Sequence, residues 1–247
     1  MNNILEILIF ERFDLVADFA LDKWVEISSE TVREKAYFAV ALSGGRTPID
    51  FYSSLARSDH KLPWDRTHVF LTDERFVPWS DSESNYRLVK EHLLDHIDMP
   101  KQNVYPISTE GVTPQQSAAR YEENIRRPFG IGMNTLPEFD LIMLGIGEDG
   151  HTASLFPGAP ALQEQNHLAV PVIADKAPHQ RISLTLPVIN NSKNIIFLVS
   201  GKNKANAIRE IVEDENSMLP TALVRPTKGS ALLLLDEAAA SLLSEER

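Results

Sequence analysis

The sequence contains no cysteine, and this absence excludes several kinds of chemistry. A chain without thiols forms no disulfides, holds no metal through thiolates and has no cysteine nucleophile. Basic residues are also few, with 24 lysines and arginines against 35 aspartates and glutamates, so the formal net charge is -11. An acidic surface of this kind favours solubility and disfavours nucleic acid or an anionic membrane as a partner.

Long hydrophobic runs are absent as well, because none approaches the roughly 20 apolar residues that a membrane span needs. The first residues alternate strand-forming and acidic side chains, which is unlike a signal peptide. We therefore expect a soluble cytoplasmic protein without a membrane partner, either a monomer or a weak homodimer. The 247 residues contain no glycine- or serine-rich linker and no internal repeat, so we expect a single α/β domain over residues 1–247.

Apolar strand-like runs alternate with helix-like segments along the chain. This alternation predicts an α/β fold of three layers, in which helices cover both faces of a mostly parallel sheet. The segment 168–187 is β-like but contains Pro171, Pro178 and Pro187, which favour edge strands and predict a small β excursion from the main sheet. The predicted strands are residues 4–10, 37–42, 68–72, 139–144, 194–200 and 231–235, and the predicted helices are residues 14–35, 48–55, 88–97, 113–127 and 204–212, followed by a short closing helix.

A glycine-rich segment directly follows the predicted strand 139–144, with the sequence Gly145-Ile146-Gly147-Glu148-Asp149-Gly150-His151-Thr152. The end of a buried parallel strand is where α/β proteins place ligands, and a histidine there can move protons near neutral pH. The same letters match the dinucleotide pattern G-x-G-x-x-G, which requires a helix that begins at the third glycine. Pro157 leaves room for only a short helix, and Asp149 would repel a pyrophosphate. A ligand-binding turn is therefore favoured over a nucleotide loop, while a plain turn with a surface histidine stays open.

Three further polar segments follow predicted strands, at the edge where the carboxyl ends of parallel strands meet. The first, Ser43-Gly44-Gly45-Arg46-Thr47-Pro48, combines backbone N–H groups that can approach an anion with a guanidinium and the start of a helix. The others are Thr72-Asp73-Glu74-Arg75 and Ser200-Gly201-Lys202, and Arg181 lies on the β-like stretch beside them.

Each of these segments also has a plainer interpretation. The first suits a tight turn without a ligand, the second a solvated charge cluster, and the third a surface lysine, while Arg181 suits a structural ion pair. Together, however, they place several cations on an acidic chain, which favours a small anionic ligand over a polyanion. These cations are Arg46, Arg75, Arg181 and Lys202.

Five segments in this order resemble sequence blocks of the 6-phosphogluconolactonase family, and the resemblance covers nearly the whole chain. It implies hydrolysis of 6-phosphogluconolactone to 6-phosphogluconate, the second step of the oxidative pentose phosphate pathway. It also implies a Rossmann-like fold shared with glucosamine-6-phosphate deaminase and ribose-5-phosphate isomerase. The segments are Ser43-Gly44-Gly45-Arg46-Thr47-Pro48, Thr72-Asp73-Glu74-Arg75, Gly145-x-Gly147-x-Asp149-Gly150-His151-Thr152-Ala153-Ser154-Leu155-Phe156-Pro157, Arg181-Ile182-Ser183-Leu184-Thr185 and Ser200-Gly201-x-x-Lys204-Ala205.

The resemblance implies a reaction on a small sugar phosphate lactone, without a metal or a cofactor. His151 would be the general base that activates water, Asp149 would orient its imidazole, and Arg75 would face the oxyanion or the product carboxylate. The family's phosphate-binding lysine falls on Lys204, and the sequence leaves the choice between it and Lys202 open. The candidate binding residues are Ser43, Gly44, Gly45, Arg46, Thr47, Asp73, Arg181, Lys202 and Lys204.

Two alternatives of different classes accompany this interpretation. In the deaminase and isomerase branch, a similar glycine-rich block continues with Asn-Glu, whereas this chain continues Thr152-Ala153-Ser154-Leu155-Phe156-Pro157. The deaminase also tends to have tyrosine where Arg75 stands. The second alternative, a non-catalytic sugar-phosphate sensor, needs an attached DNA-binding element, and the chain is predicted to enter a strand within a few residues of its N-terminus.

Overall fold

The computed structural model describes residues 5–244, and its main feature is a parallel sheet. The strands are β1 (Leu5–Phe10), β2 (Phe38–Leu42), β3 (Thr67–Leu71), β4 (Asp73–Arg75), β5 (Val104–Tyr105), β6 (Leu141–Leu144), β7 (Ala169–Ile173), β8 (Gln180–Leu184), β9 (Asn194–Val199) and β10 (Ser230–Asp236). Seven of them form the central sheet in the order β1-β10-β9-β6-β2-β3-β5, with every neighbouring pair parallel. All carboxyl ends of these strands therefore point to one edge.

Helices connect the parallel strands and cover the sheet. They are α1 (Phe13–Glu34), α2 (Pro48–Ala56), α3 (Asn85–His92), α4 (Pro114–Phe129), α5 (Leu186–Asn190), α6 (Ala205–Glu213) and α7 (Glu237–Ala240). Helix α1 packs against α2, and α2 packs against α3, so these three form one layer. Because later connections cross the sheet in the opposite direction, right-handed crossovers place α4, α5 and α6 on the other face.

A small second sheet stands beside the main one, as the segment 168–187 predicts. It has three antiparallel strands in the order β4-β8-β7, and its register places Arg75 opposite Arg181. Pro171 lies on the edge strand β7, where a missing backbone N–H leaves no central ladder bond unpaired. Strand β4 follows β3 after one residue, so the two sheets are joined next to the carboxyl edge.

The structure confirms the predicted mostly parallel α/β architecture and corrects several local predictions. Residues 73–75 form β4 rather than a loop, because pairing with β8 satisfies their backbone. Pro187 lies in the first turn of α5 instead of marking an edge strand, since proline suits the first turn of a helix. The predicted helix 88–97 ends at His92 and continues as a short 3-10 turn. Residue 4 of the first predicted strand lies outside the described residues.

The core lies between the central sheet and its helices. All five residues of β2 and all four of β6 are buried, as expected for strands covered on both faces. On α1 the buried positions include Val16, Ala20 and Trp24, which recur at helical spacing and face the sheet. None of the helices in the described range is long and apolar enough to span a membrane.

Candidate active site

The loops at the carboxyl edge of the central sheet meet the small sheet and enclose a cleft of about 390 Å³. We call this cavity the inner lobe. Most of the predicted site residues line it, and they come from segments far apart in sequence. The inner lobe is lined by Ser43, Gly44, Gly45, Arg46, Thr47, Pro48, Asp73, Arg75, Asn85, Gly145, Ile146, Gly147, Glu148, His151, Ala153, Arg181, Ser200, Asn203 and Lys204.

The glycine-rich turn after β6 folds tightly around its own histidine. The backbone N–H of Gly147 donates to the His151 carbonyl at 2.8 Å, and the N–H of Gly150 donates to the Gly147 carbonyl at 3.1 Å. A Cβ at residue 147 would overlap the His151 ring and the Asp149 carboxylate, so this position requires glycine. Gly150 has a φ of +77°, which glycine adopts without strain. No helix begins at Gly150, so the segment lacks the defining feature of a dinucleotide loop.

His151 and Asp149 form the shortest polar contact of this turn. The imidazole Nδ1 lies 2.5 Å from Asp149 Oδ1, and the side chains are 32% and 52% exposed. The hydrogen bond from His151 lowers the pKa of Asp149 to about 2, so the carboxylate is ionised near neutral pH. Because the ionised carboxylate accepts a hydrogen bond from Nδ1, the proton of the neutral imidazole lies on Nδ1. Nε2 therefore keeps its lone pair. The ring packs at 4.6 Å from that of Phe156, which limits its orientation.

Arg75 is held at the cleft by hydrogen bonds from one end of its guanidinium. Its Nη1 donates to Asn85 Oδ1 at 2.5 Å and to the Glu83 carbonyl at 2.9 Å, while the buried Nε has no hydrogen-bond partner within residues 5–244. Arg181 is opposite on β8, and its Nε donates to the Pro178 carbonyl at 2.8 Å. Burial, and then the charge of Arg75, lowers the pKa of Arg181. Two adjacent cations of this kind favour an anion between them.

Glu74 and Asn85 fix the position of Arg75, and neither was predicted as a site residue. The buried Glu74 carboxylate accepts from the backbone N–H groups of Asn85 and Tyr86 at 2.7 and 2.8 Å, and so caps α3. Burial raises the pKa of Glu74 to about 7, against the opposing effect of these bonds. Asn85 Nδ2 donates to the Asp73 carbonyl at 2.9 Å, which aims Oδ1 at Arg75. No local sequence signal marks Asn85, because its partner lies ten residues away on another element.

Asp73 lies at the floor of the inner lobe and is only 5% exposed. Its carboxylate accepts from the hydroxyl of Thr72 at 3.0 Å and from that of Ser154 at 2.7 Å. Ser154 therefore ties β4 to the segment that follows His151. Ala153, just before it, has a φ of 47°, a left-handed conformation that is costly for a residue with a Cβ and is held here by its neighbours.

The loop after β2 presents backbone and charge to the inner lobe. The hydroxyl of the buried Tyr52 donates to the Ser43 carbonyl at 2.6 Å, which anchors the loop to α2. A Cβ on Gly44 would overlap the Asn85 side chain, so the loop approaches the Arg75 support closely. Gly45 has a φ of +95°, and Arg46 is exposed at the cleft wall.

The structure distinguishes the two candidate lysines by position. The half-buried Lys204 lines the cleft, and its burial lowers its pKa. Lys202 is exposed and is not among the lining residues. The turn before them is held by Asp236, whose carboxylate accepts from the Ser200 hydroxyl at 2.5 Å and from the Gly201 N–H at 3.1 Å. Lys204 is thereby positioned beside the glycine-rich turn.

The cavity continues past His151 into a second space of about 500 Å³, which we call the outer lobe. It shares His151, Arg75 and Arg181 with the inner lobe, as well as Gly147, Glu148 and Lys204. The residues that line it alone are Asp149, Phe156, Pro157, Ala174, Asp175 and Lys176. Among the described residues, no three histidine or carboxylate side chains are grouped closely enough to hold a metal ion.

Comparison with known proteins places this cleft in a family context. The sequence pattern described as glucosamine-6-phosphate isomerases/6-phosphogluconolactonase matches residues 12–233. A 6-phosphogluconolactonase of Synechocystis sp. is 38% identical over 213 residues, which cover 85% of this chain and 87% of the relative. A 6-phosphogluconolactonase of Rattus norvegicus is 41% identical over 218 residues, which cover 84% of this chain and 81% of the relative.

Solved structures give the same picture for the fold. The crystal structure of a 6-phosphogluconolactonase from Thermotoga maritima superposes on this chain with a TM-score of 0.82 at 32% sequence identity. The superposition covers 94% of this chain and 100% of that one. The similarity in fold therefore extends over nearly the whole chain.

Proposed function

The chain belongs to the family of glucosamine-6-phosphate isomerases and 6-phosphogluconolactonases, and on this premise we propose that it is a lactonase. The reaction is hydrolysis of 6-phosphogluconolactone to 6-phosphogluconate, in the oxidative pentose phosphate pathway. The substrate is a cyclic ester with a phosphate at the far end of the sugar. Its hydrolysis requires an activated water, a stabilised oxyanion and a proton for the ring oxygen that leaves.

His151 supplies the proton transfers in this proposal. Because Asp149 accepts at Nδ1, Nε2 keeps its lone pair and can take a proton from water as that water attacks C1. Asp149 then stabilises the imidazolium, as a carboxylate does in other hydrolases. When the tetrahedral intermediate collapses, the bond from C1 to the ring oxygen breaks and His151 returns the proton to that oxygen.

Arg75 stabilises the negative charge that develops on the carbonyl oxygen. Arg75 lines both lobes, as His151 does, and its guanidinium is fixed by Asn85 before substrate binds. A donor that is already oriented needs no reorganisation during the reaction, which is the basis of oxyanion stabilisation.

The phosphate is bound in the inner lobe, by the loop of residues 43–47 together with Arg181 and Lys204. Backbone N–H groups at the start of α2, one exposed guanidinium, one half-buried guanidinium and one ammonium converge there. We assign the phosphate contact to Lys204 over Lys202, because only Lys204 lines the cleft. Binding the phosphate orients the lactone and so contributes to rate as well as affinity.

The observation that supports this function best is the His151–Asp149 pair at the junction of a cation-lined cleft. The test is the decay of freshly prepared 6-phosphogluconolactone with and without the protein, alongside the δ-lactone that lacks phosphate. We expect the protein to accelerate the first reaction strongly and the second much less. Decay at the spontaneous rate, or release of ammonia from glucosamine 6-phosphate, would contradict the proposal.

A further inference from the structure

Lys176 is a cation that lines the outer lobe and takes no part in the proton transfers described above. It lies on the turn between β7 and β8, which brings it to the cavity wall with Asp149, Phe156 and His151. Two of its neighbours in the cleft have lowered pKa values: Glu148, mainly through its hydrogen bond from Asn203, and Lys204, mainly through burial. The charge of Lys176 is a smaller cause of both shifts. Lys176 is therefore close to the glycine-rich turn on one side and to the phosphate-binding lysine on the other.

The ammonium of Lys176 is not neutralised by an ion pair. Across residues 5–244, no carboxylate oxygen lies within ion-pairing distance of its Nζ. The side chain is exposed, so it can turn toward a ligand without breaking a contact. An unpaired cation that lines a cavity is available to an anionic group in that cavity.

The arrangement of the two lobes determines which anionic group of the ligand comes near Lys176. In the proposed function, on which this inference rests, the phosphate occupies the inner lobe beside residues 43–47. His151 performs the chemistry and lines both lobes, so C1 of the sugar lies where the two lobes meet. Substituents of C1 on the side away from the phosphate then face the outer lobe, which Lys176 lines.

Hydrolysis changes the charge at this position. The lactone carbonyl is neutral, and after ring opening C1 belongs to a carboxylate, so the product carries one more negative charge than the substrate. We propose that Lys176 is a product-binding residue that holds the C1 carboxylate of 6-phosphogluconate in the outer lobe. A cation in the outer lobe binds the charged C1 carboxylate of the product more strongly than the uncharged C1 carbonyl of the lactone.

Two ligands separate the carboxylate from the phosphate in a binding experiment. 6-Phosphogluconate carries both groups, whereas glucose 6-phosphate carries the same phosphate and no carboxylate. Calorimetric titration of each ligand into wild type and Lys176→Ala measures the two dissociation constants without any need for turnover. We expect Lys176→Ala to weaken 6-phosphogluconate binding about fivefold, the loss of a partly exposed charge pair, and to leave glucose 6-phosphate binding unchanged.

Two further variants complete the design. Lys176→Arg keeps the charge and restores most of the affinity for 6-phosphogluconate. Lys101→Ala removes an equal charge at the opposite edge of the sheet, before β5, and leaves both constants unchanged. Equal weakening of both ligands in Lys176→Ala would assign the lysine to the phosphate, and no weakening of either would remove it from the site; both results overturn the proposal.

The same variants distinguish this inference from the proposed function. If wild type does not accelerate lactone decay, the proposed lactonase function is wrong, regardless of the dissociation constants that the titrations give. If wild type is active and binds 6-phosphogluconate but Lys176→Ala binds it equally well, only the role of Lys176 fails. In the active enzyme we also expect product inhibition by 6-phosphogluconate to weaken about fivefold in Lys176→Ala.

Discussion

At the scale of the residue, the orientation of the His151 imidazole depends on Asp149. The carboxylate accepts from Nδ1 and also from the backbone N–H of His151 at 3.2 Å, so it fixes both the ring and the turn. The same contact explains the low pKa of Asp149, because the hydrogen bond from His151 is its largest cause. The contact that orients the imidazole therefore also keeps the carboxylate ionised.

This interaction predicts a change in titration when the histidine is removed. In His151→Ala we expect the pKa of Asp149 to rise from about 2 toward its ordinary value of 3.8. Because the folded-state pKa lies below that value, the contact stabilises the fold above pH 3.8, and its contribution is lost as the pH falls toward 2. The measurement is a carboxyl-carbon NMR titration of Asp149 in both proteins. An unchanged pKa would show that another group lowers it.

Arg46 gives a second prediction at this scale, since it is the exposed cation of the loop to which we assign the phosphate. Arg46→Ala should raise KM for 6-phosphogluconolactone by about 10- to 100-fold, the worth of a hydrogen bond to a charged group. KM for the δ-lactone without phosphate should change little. Arg57→Ala, at the other end of α2, is the matched control with no expected effect. Equal effects of Arg46→Ala on both lactones would count against the phosphate assignment.

At the scale of the element, the turn after β6 has no space for a side chain at residue 147. Gly147→Ala should displace the His151 ring and lower kcat by about 10²-fold, because misplacement of a catalytic group by 1 Å has this effect. Gly132→Ala, where a Cβ meets nothing within 4 Å, is the control for the substitution itself. Kinetics with a circular dichroism check on both variants make the measurement. Full activity in Gly147→Ala would show that the turn adapts.

The first backbone N–H groups of α3 donate to the Glu74 carboxylate, and this cap also determines where Asn85 and Arg75 lie. Glu74→Ala leaves buried backbone N–H groups of α3 without their acceptor, which should cost about 1–3 kcal/mol of the free energy of unfolding. Urea denaturation measures this loss. Glu83→Ala, on the exposed loop before α3, should change stability by less than about 0.5 kcal/mol. A loss of the same size in both variants would contradict the capping role.

At the scale of the whole molecule, one cleft depends on two sheets. The central sheet supplies the loops after β2, β6 and β9, while the small sheet supplies Arg75 and Arg181 in adjacent strands. Four of the cations concentrate at this edge of a chain whose net charge is -11, so the attraction for an anion is local. Residues 174–176 of the β7–β8 turn form part of the wall of the outer lobe.

The sequence predicted the parts of this molecule that follow from local pattern. Apolar runs of the buried strands and the glycine-rich turn with His151 were visible because period and composition determine them. Strand β4 was missed, since three charged residues show no alternation of apolar side chains and form a strand only by pairing with β8. Asn85 and Ser154 were missed for a similar reason: each contacts a residue that only the folded chain brings near.

In the proposed reaction, His151 moves the protons of lactone hydrolysis within this cleft. The most direct measurement compares the decay of freshly prepared 6-phosphogluconolactone, corrected for spontaneous opening, in the presence of wild type and of His151→Ala. We expect kcat to fall by about 10²–10⁴, the usual contribution of a general base, while calorimetry shows that 6-phosphogluconate still binds. Near-normal turnover by a correctly folded His151→Ala protein would contradict the account.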